Sequence, residues 1–309
     1  MIFRTKIDIP QSKYKIQPND RLLFVGSCFA SNIGQRFCDN AFQCVVNPRG
    51  TMYNPASVYH CIRDYQDLHP NIVVITLGTN HVYRLKSTGE IVDNCQKQPA
   101  NIFNEEVLSI DECADYLQKA IDVLKGQKTP FYSSHAGRES GTSLRVEMEG
   151  AIPHFIITVS PIRYAKYGFH ESQLSKSVLL LAAEKVVREN ENCDYFPAYE
   201  IVNDELRDYR FYNADMLHPS EQAVDYIWER FSEAYFSEVT HRFIEEWQPI
   251  RAALNHKPFN PDSEEYKTFL AQALEKKRKF FEKYGLGSSK FKVQSHNRKT
   301  VKPQINCTW

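Results

Sequence analysis

RLLFVGSCFASNIGQRF, residues Arg21 to Phe37, joins a strand-like run to a helix-like one through a single turn. Leu22 to Val25 form a short, unbroken apolar run, which suits a strand covered on both faces. Gly26 permits a sharp bend. Phe29, Ile33 and Phe37 then recur at the four-residue spacing of a buried helical stripe. Ser27 therefore sits between a strand and a helix whose unbonded N–H groups aim back at the turn. That is the layout of a nucleophile elbow, although the G-x-S-x-G pattern is absent, and a Gly-Ser turn by itself is more often only a turn.

The same strand signature returns in CVV before Asn47-Pro48-Arg49-Gly50, in IVVITL before Gly78, and in FIITV before Ser160-Pro161. Helical patterns separate these runs. DECADYLQKAIDVLKG places Ala114, Leu117, Ile121 and Leu124 on one face, with Asp111 as the expected N-cap and Gly126 as the stop. SKSVLLLAAEKVVREN repeats the theme after the fourth run. Alternating strand and helix predicts a three-layer α/β/α sandwich around a parallel sheet, with functional residues at the carboxyl ends of the strands. The segment 126–153 shows no period and is rich in Gly, Ser and Pro, as functional or mobile connections often are. From about residue 239 the pattern is helical, in two stretches divided by Pro258 and Pro261. The organisation expected is a main domain over 1–238 and a C-terminal helical extension over 239–309, with a flexible tail after about Gly287.

Lys plus Arg and Asp plus Glu both number 38, so the chain lacks the net basic footprint that phosphate binding requires, and no nucleic-acid partner is expected. No run of 18 apolar residues is present to span a membrane. The opening MIFRTKIDIPQSKYK has no export signal, so a cytoplasmic location is the expectation. The eight cysteines include no C-x-x-C pair and read as reduced and mostly buried. The ten histidines include no H-x-x-x-H pair, so neither a metal nor another cofactor is expected.

A second informative segment is YNADMLHPSEQAVDYIWERF. Asp215 precedes His218 by three positions on a short loop, and Ser220 can cap a helix carrying Val224, Ile227 and Phe231. A carboxylate so placed can orient and charge-stabilise an imidazole, which can then serve as general base to a nucleophile. Alone, the segment reads as a capping loop with a surface histidine.

Together the two segments are similar to a known family. GSCFA at Gly26 to Ala30 resembles the signature of the GSCFA domain family, which looks like a branch of the SGNH/GDSL hydrolase superfamily. The resemblance continues through NPRGTMYNP, TLGT, TVSPIR, YFPAYEIVNDELRDYRFY and DMLHPSEQAVDYIW, covering about Pro18 to Phe231. It implies a flavodoxin-like SGNH fold and acyl-ester chemistry, with Ser27 on the superfamily's nucleophile and Asp215 and His218 on its last block. The usual block is Gly-Asp-Ser, and the acidic residue before the serine is missing here. For the oxyanion hole the resemblance implies the N–H of Ser27, a glycine N–H best matched by Gly50, and an asparagine. GTNH puts Asn80 where that asparagine would stand, with Thr79 as the alternative donor.

The activity expected is that of a serine esterase acting on an acylated polar substrate such as a glycan, or of an acyltransferase to a sugar hydroxyl. Arg163, on the same rim, could bind an anionic group of the substrate. Cys28 is the rival nucleophile, because a thiol at a helix N-terminus is more acidic than usual, but packing under the elbow is the simpler role for it. A binding or scaffold module on the same fold is the alternative from outside enzymology.

Overall fold

In the computed structural model, described over residues 4–93, 99–125, 129–132, 145–148 and 152–286, the strands run β1 (Arg21–Gly26), β2 (Gln43–Val46), β3 (Ile72–Leu77), β4 (His81–Leu85), β5 (Ile91–Val92), β6 (Phe103–Val107), β7 (Thr129–Tyr132), β8 (Arg145–Met148), β9 (His154–Val159) and β10 (Cys193–Tyr195). Five of them form the central sheet in the order β10-β9-β3-β1-β2, all parallel. The helices are α1 (Cys28–Asp39), α2 (Pro55–Asp64), α3 (Ile110–Asp122), α4 (Phe169–Glu189), the single turn α5 (Ala198–Glu200), α6 (Glu221–Tyr235), α7 (Glu238–Leu254) and α8 (Glu264–Lys283).

Strand alternation sorts the core into two layers. Leu22, Phe24, Ile72, Val74 and Ile156 face one side, where α1, α6, α7 and α8 cover them. Leu23, Val25, Val73, Ile75, Phe155 and Ile157 face the other, under α2, α3 and α4. The fold is thus an α/β/α sandwich on a parallel sheet. β1, β3 and β9 are mostly apolar along their length because they are buried on both sides. The C-terminal helices join the first layer through Phe243, Trp247, Ile250 and Phe280. Trp247 Nε1 donates to the Asp39 carbonyl at 2.9 Å, and Arg251 pairs with the Asp39 carboxylate at 2.6 Å.

Several features depart from the sequence reading. Between β3 and α3 the chain makes a separate antiparallel sheet, β5-β4-β6. Within the segment expected to be an irregular connection, β7 and β8 pair antiparallel. α3 is capped by Ser109, not Asp111, in a capping box with Glu112. The cysteines are not all reduced, since Cys38 and Cys44 are joined in a disulfide. The turn between α1 and β2, with Ala41 at φ 64°, brings their Cα atoms to 5.9 Å, within bridging range. Among the described residues no helix is long and apolar enough to cross a membrane. The stop expected at Gly126 and the tail after Gly287 lie outside the described residues.

Gly26 shows why the bend after β1 needs glycine. It has φ 142°, and a Cβ there would lie 2.1 Å from the Thr76 carbonyl oxygen on the paired strand. Gly26→Ala is therefore expected to cost about 3 kcal/mol or more, read as a lower urea midpoint. An unchanged midpoint would mean that β1 and β3 can part at no cost where the elbow is built.

Candidate active site

A small solvent-open cleft lies where the strand order reverses, between the carboxyl ends of β1 and β3. Ser27 and Cys28 reach it from β1, Tyr53 from the loop after β2, Gly78 from β3, Ser160 and Arg163 from β9, and His218 from the loop before α6.

The elbow is tied to the neighbouring strand. The Ser27 N–H donates to the carbonyl and hydroxyl oxygens of Thr76, at 3.0 and 2.9 Å. Its hydroxyl lies 2.9 Å from Thr76 Oγ1 and accepts the N–H of Phe29 at 3.2 Å, which makes Ser27 the N-cap of α1. Ser27 is only 1 % exposed, and none of these bonds links it to His218. Cys28, one residue on, is the first residue of α1 and half-buried, with Sγ 3.7 Å from the Tyr53 hydroxyl.

The loop before α6 presents the imidazole. Asp215 Oδ1 accepts the N–H groups of Leu217 and His218 at 2.9 and 3.0 Å, and Oδ2 meets His218 Nδ1 at 2.7 Å. Those bonds leave Nε2 as the ring nitrogen available to the cleft. The loop is braced by Asn213 N–H on the His218 carbonyl, Arg163 N–H on the Leu217 carbonyl, and Ser220 capping α6.

Charge follows this geometry. Burial pushes the Cys28 thiol up, but hydrogen bonds to His218, Tyr53 and Thr51, with the charge of His218, outweigh it and hold its pKa below the ordinary thiol value. The His218 pKa is raised, first by its hydrogen bond to Cys28, against the opposing effect of burial, and further by Asp215. Asp215 is held below the usual carboxylate range, because the backbone and side-chain bonds to Leu217 and His218 overcome its desolvation. The Cys28 thiol and the His218 imidazole shift in opposite directions because each favours the charged form of the other. By contrast, burial pushes the free thiols of Cys61, Cys113 and Cys193 up to about 11, 12 and 12.

Of the expected oxyanion donors, the Ser27 N–H is bonded to Thr76 and the others are elsewhere. Gly50 is exposed, and its N–H donates to the Asn47 carbonyl at 2.8 Å. Asn80 is buried at the start of the β4 excursion, its side-chain amide on the Leu108 carbonyl at 2.7 Å. The Thr79 hydroxyl lies 3.1 Å from that of Ser175. None of the three lines the cleft. Arg163 does, with its guanidinium over Phe169 at 4.1 Å and donating to the Met216 carbonyl at 3.0 Å. Among the described residues no carboxylate pairs with it, and no group of three or more His, Cys, Asp and Glu residues is arranged to hold a metal.

Lys176 of α4, which the sequence did not single out, is 2 % exposed under the cleft floor. It donates to the carbonyls of Gly78 and Ser160 at 2.7 and 2.8 Å, and burial pushes its pKa down to about 7. An unfolded lysine ionises near 10.4, so between the two values the unfolded chain binds a proton that the folded one lacks. Stability should accordingly fall as pH drops from about 10 to about 7, with a slope of up to about 1.4 kcal/mol per pH unit, and this contribution should level off below that. Urea midpoints across the range should show the slope in the wild type and a flatter profile in Lys176→Met. Identical profiles would contradict an amine whose charge is disfavoured by burial.

Sequence comparison yields a match to the GSCFA family over residues 21–70, 66–131 and 143–231, and to the GSCFA domain protein, C-terminal domain, over 247–289. None of the curated proteins matches the chain. Similar solved structures include a protein from Streptococcus pneumonia described provisionally as a platelet activating factor, at 14% identity and TM-score 0.40, covering 69% of this chain and 84% of that one. They also include a carbohydrate esterase family 3 protein from Talaromyces cellulolyticus, at 9% identity and TM-score 0.37, covering 73% and 99%.

Proposed function

The chain belongs to the GSCFA family, and we propose that it is a thiol-dependent acyl-transfer enzyme, an ester hydrolase when water is the acceptor, with Cys28 as nucleophile, His218 as base and Asp215 orienting the imidazole. The observation that carries this reading is the direction of the two side chains at the elbow. Both residues line the cleft, but the Ser27 hydroxyl is committed to the helix cap and to Thr76, while the Cys28 thiol hydrogen-bonds His218. The superfamily block agrees with this assignment. Setting Gly26-Ser27-Cys28 against Gly-Asp-Ser puts Cys28 under the nucleophile and Ser27 under the missing acid.

In the proposed reaction the Cys28 thiolate attacks the ester carbonyl and an Sγ–C bond forms. Collapse of the tetrahedral intermediate breaks the C–O bond, and the imidazolium of His218 gives its proton to the departing alkoxide. His218 then removes a proton from water, or from an acceptor hydroxyl, as it attacks the thioester and regenerates the thiolate. The position of Cys28 at the start of α1 favours the anion through the helix dipole. Arg163, stacked at the cleft edge with no carboxylate partner among the described residues, would hold a polar or anionic group of the acylated substrate.

The test is to trap the acyl group. Incubation with p-nitrophenyl acetate, acid quenching and peptide mass spectrometry should find acetyl on Cys28. The label should be absent in Cys28→Ala and strongly reduced in His218→Ala. Acetyl on Ser27 would restore the serine mechanism. A folded protein acetylated at neither position would favour a binding module.

A further inference from the structure

We infer that Tyr53 is a further catalytic residue, its hydroxyl donating to the oxyanion that forms when Cys28 attacks an acyl carbon. The inference rests on the Cys28 reading above. It begins from a shortage of donors. The N–H of Gly50 is bonded to Asn47, that of Gly78 to Tyr53, and the Asn80 amide to Leu108. Two donors do stand beside the sulfur in the cleft, the N–H of Cys28 itself, in the first turn of α1, and the Tyr53 hydroxyl that contacts Sγ. Thr51 also hydrogen-bonds the thiol but is not part of the cleft wall.

Tyr53 is also held still. Its carbonyl accepts the N–H groups of Gly78 and Thr79 at 2.8 and 2.9 Å, which fixes its backbone to the end of β3. Its ring lies against Gly78, where an added Cβ would stand 3.1 Å from Cδ1. A donor fixed in advance costs no reorganisation as charge develops. The hydroxyl is 3.7 Å from Cys28 Sγ, close enough to reach an oxygen on the carbon that the sulfur attacks. Before attack it solvates the thiolate, and as the Sγ–C bond forms the negative charge passes to the carbonyl oxygen and the donor can follow it.

Two reagents separate these roles. Iodoacetamide alkylates the thiolate by displacement, with no oxyanion, whereas p-nitrophenyl acetate must pass through one. Both rates are read for Cys28 in wild type and Tyr53→Phe, at a pH where the thiol is fully ionised in each. The acetylation burst is expected to fall about 100- to 1,000-fold in Tyr53→Phe while alkylation changes by less than about threefold, which also shows that the variant is folded. An unchanged burst, or equal losses with both reagents, would overturn the inference and leave Cys28 as nucleophile. A wild type in which Cys28 takes neither reagent would overturn the nucleophile and the inference together.

Discussion

Cys28→Ala is expected to abolish turnover of p-nitrophenyl acetate, by about 1,000-fold or more, and to leave the fold almost untouched. The thiol is half-buried at the cleft wall and makes no bond that caps or closes an element, so its loss removes chemistry and little packing. Ser27→Ala should show the opposite signature. It deletes the cap of α1 and the contact with Thr76 Oγ1, costing roughly 1–2 kcal/mol, and reduces activity only as far as the elbow loosens. Cys28→Ser keeps the geometry but not the acidity, since an alkoxide is far harder to form than a thiolate, and should retain only a residue of the rate. Steady-state kinetics and urea midpoints on the three variants check the pattern. Full activity in Cys28→Ala would end the thiol mechanism.

Asp215→Asn is expected to lower kcat by about 100- to 10,000-fold with little change in the loop. The carboxamide oxygen of the substituted side chain can still accept the N–H groups of Leu217 and His218, as Oδ1 of the acid does. Its NH₂ would then face His218 Nδ1, where Oδ2 now accepts the hydrogen bond of Nδ1–H at 2.7 Å. A donor at that place forces Nδ1 to accept and puts the proton on Nε2, the nitrogen that must take one from the thiol. The imidazolium also loses its counter-charge, so the His218 pKa should fall back and the thiolate become rarer at neutral pH. Because the Asp215 pKa is depressed in the fold, its stabilisation is present above the unfolded carboxylate value and is lost as pH falls through the folded one. The substitution should remove that acid-side dependence. A pH–rate profile whose plateau is lower but whose limbs do not move would contradict the role assigned to Asp215.

Much of the fold was legible because burial on both faces leaves an unmistakable mark. LLFV, IVVITL and FIITV can hardly be anything but central parallel strands, and they are β1, β3 and β9. β10 escaped because it is a three-residue edge strand. The β4–β6 sheet escaped because HVYRL has one buried residue and the interleaved polarity of a surface strand, directly after a motif that invites a functional-loop reading. At the site, the contact between Asp215 and His218 was legible because it is local. The choice between Ser27 and Cys28 was not, because it depends on which of two adjacent side chains serves as the cap. The cap residue folds back on the helix and the next one points outward. Asn80 misled for a similar reason, since its place after β3 fits the superfamily block, yet the chain turns there into β4 and carries the amide under Leu108. Tyr53 stood inside NPRGTMYNP, and the signal lay in the resemblance of that whole segment, not in the residue type.

Whether His218 activates the thiol is read from the rate at which iodoacetamide alkylates Cys28 as a function of pH, in wild type and His218→Ala, with the adduct located by mass spectrometry. Pairing with His218 predicts that the wild-type rate rises to its plateau at a pH below that of an ordinary thiol, and that the midpoint moves upward when the imidazole is removed. The same midpoint in both proteins, at or above the ordinary thiol value, would show that His218 does not activate Cys28 and would contradict the account.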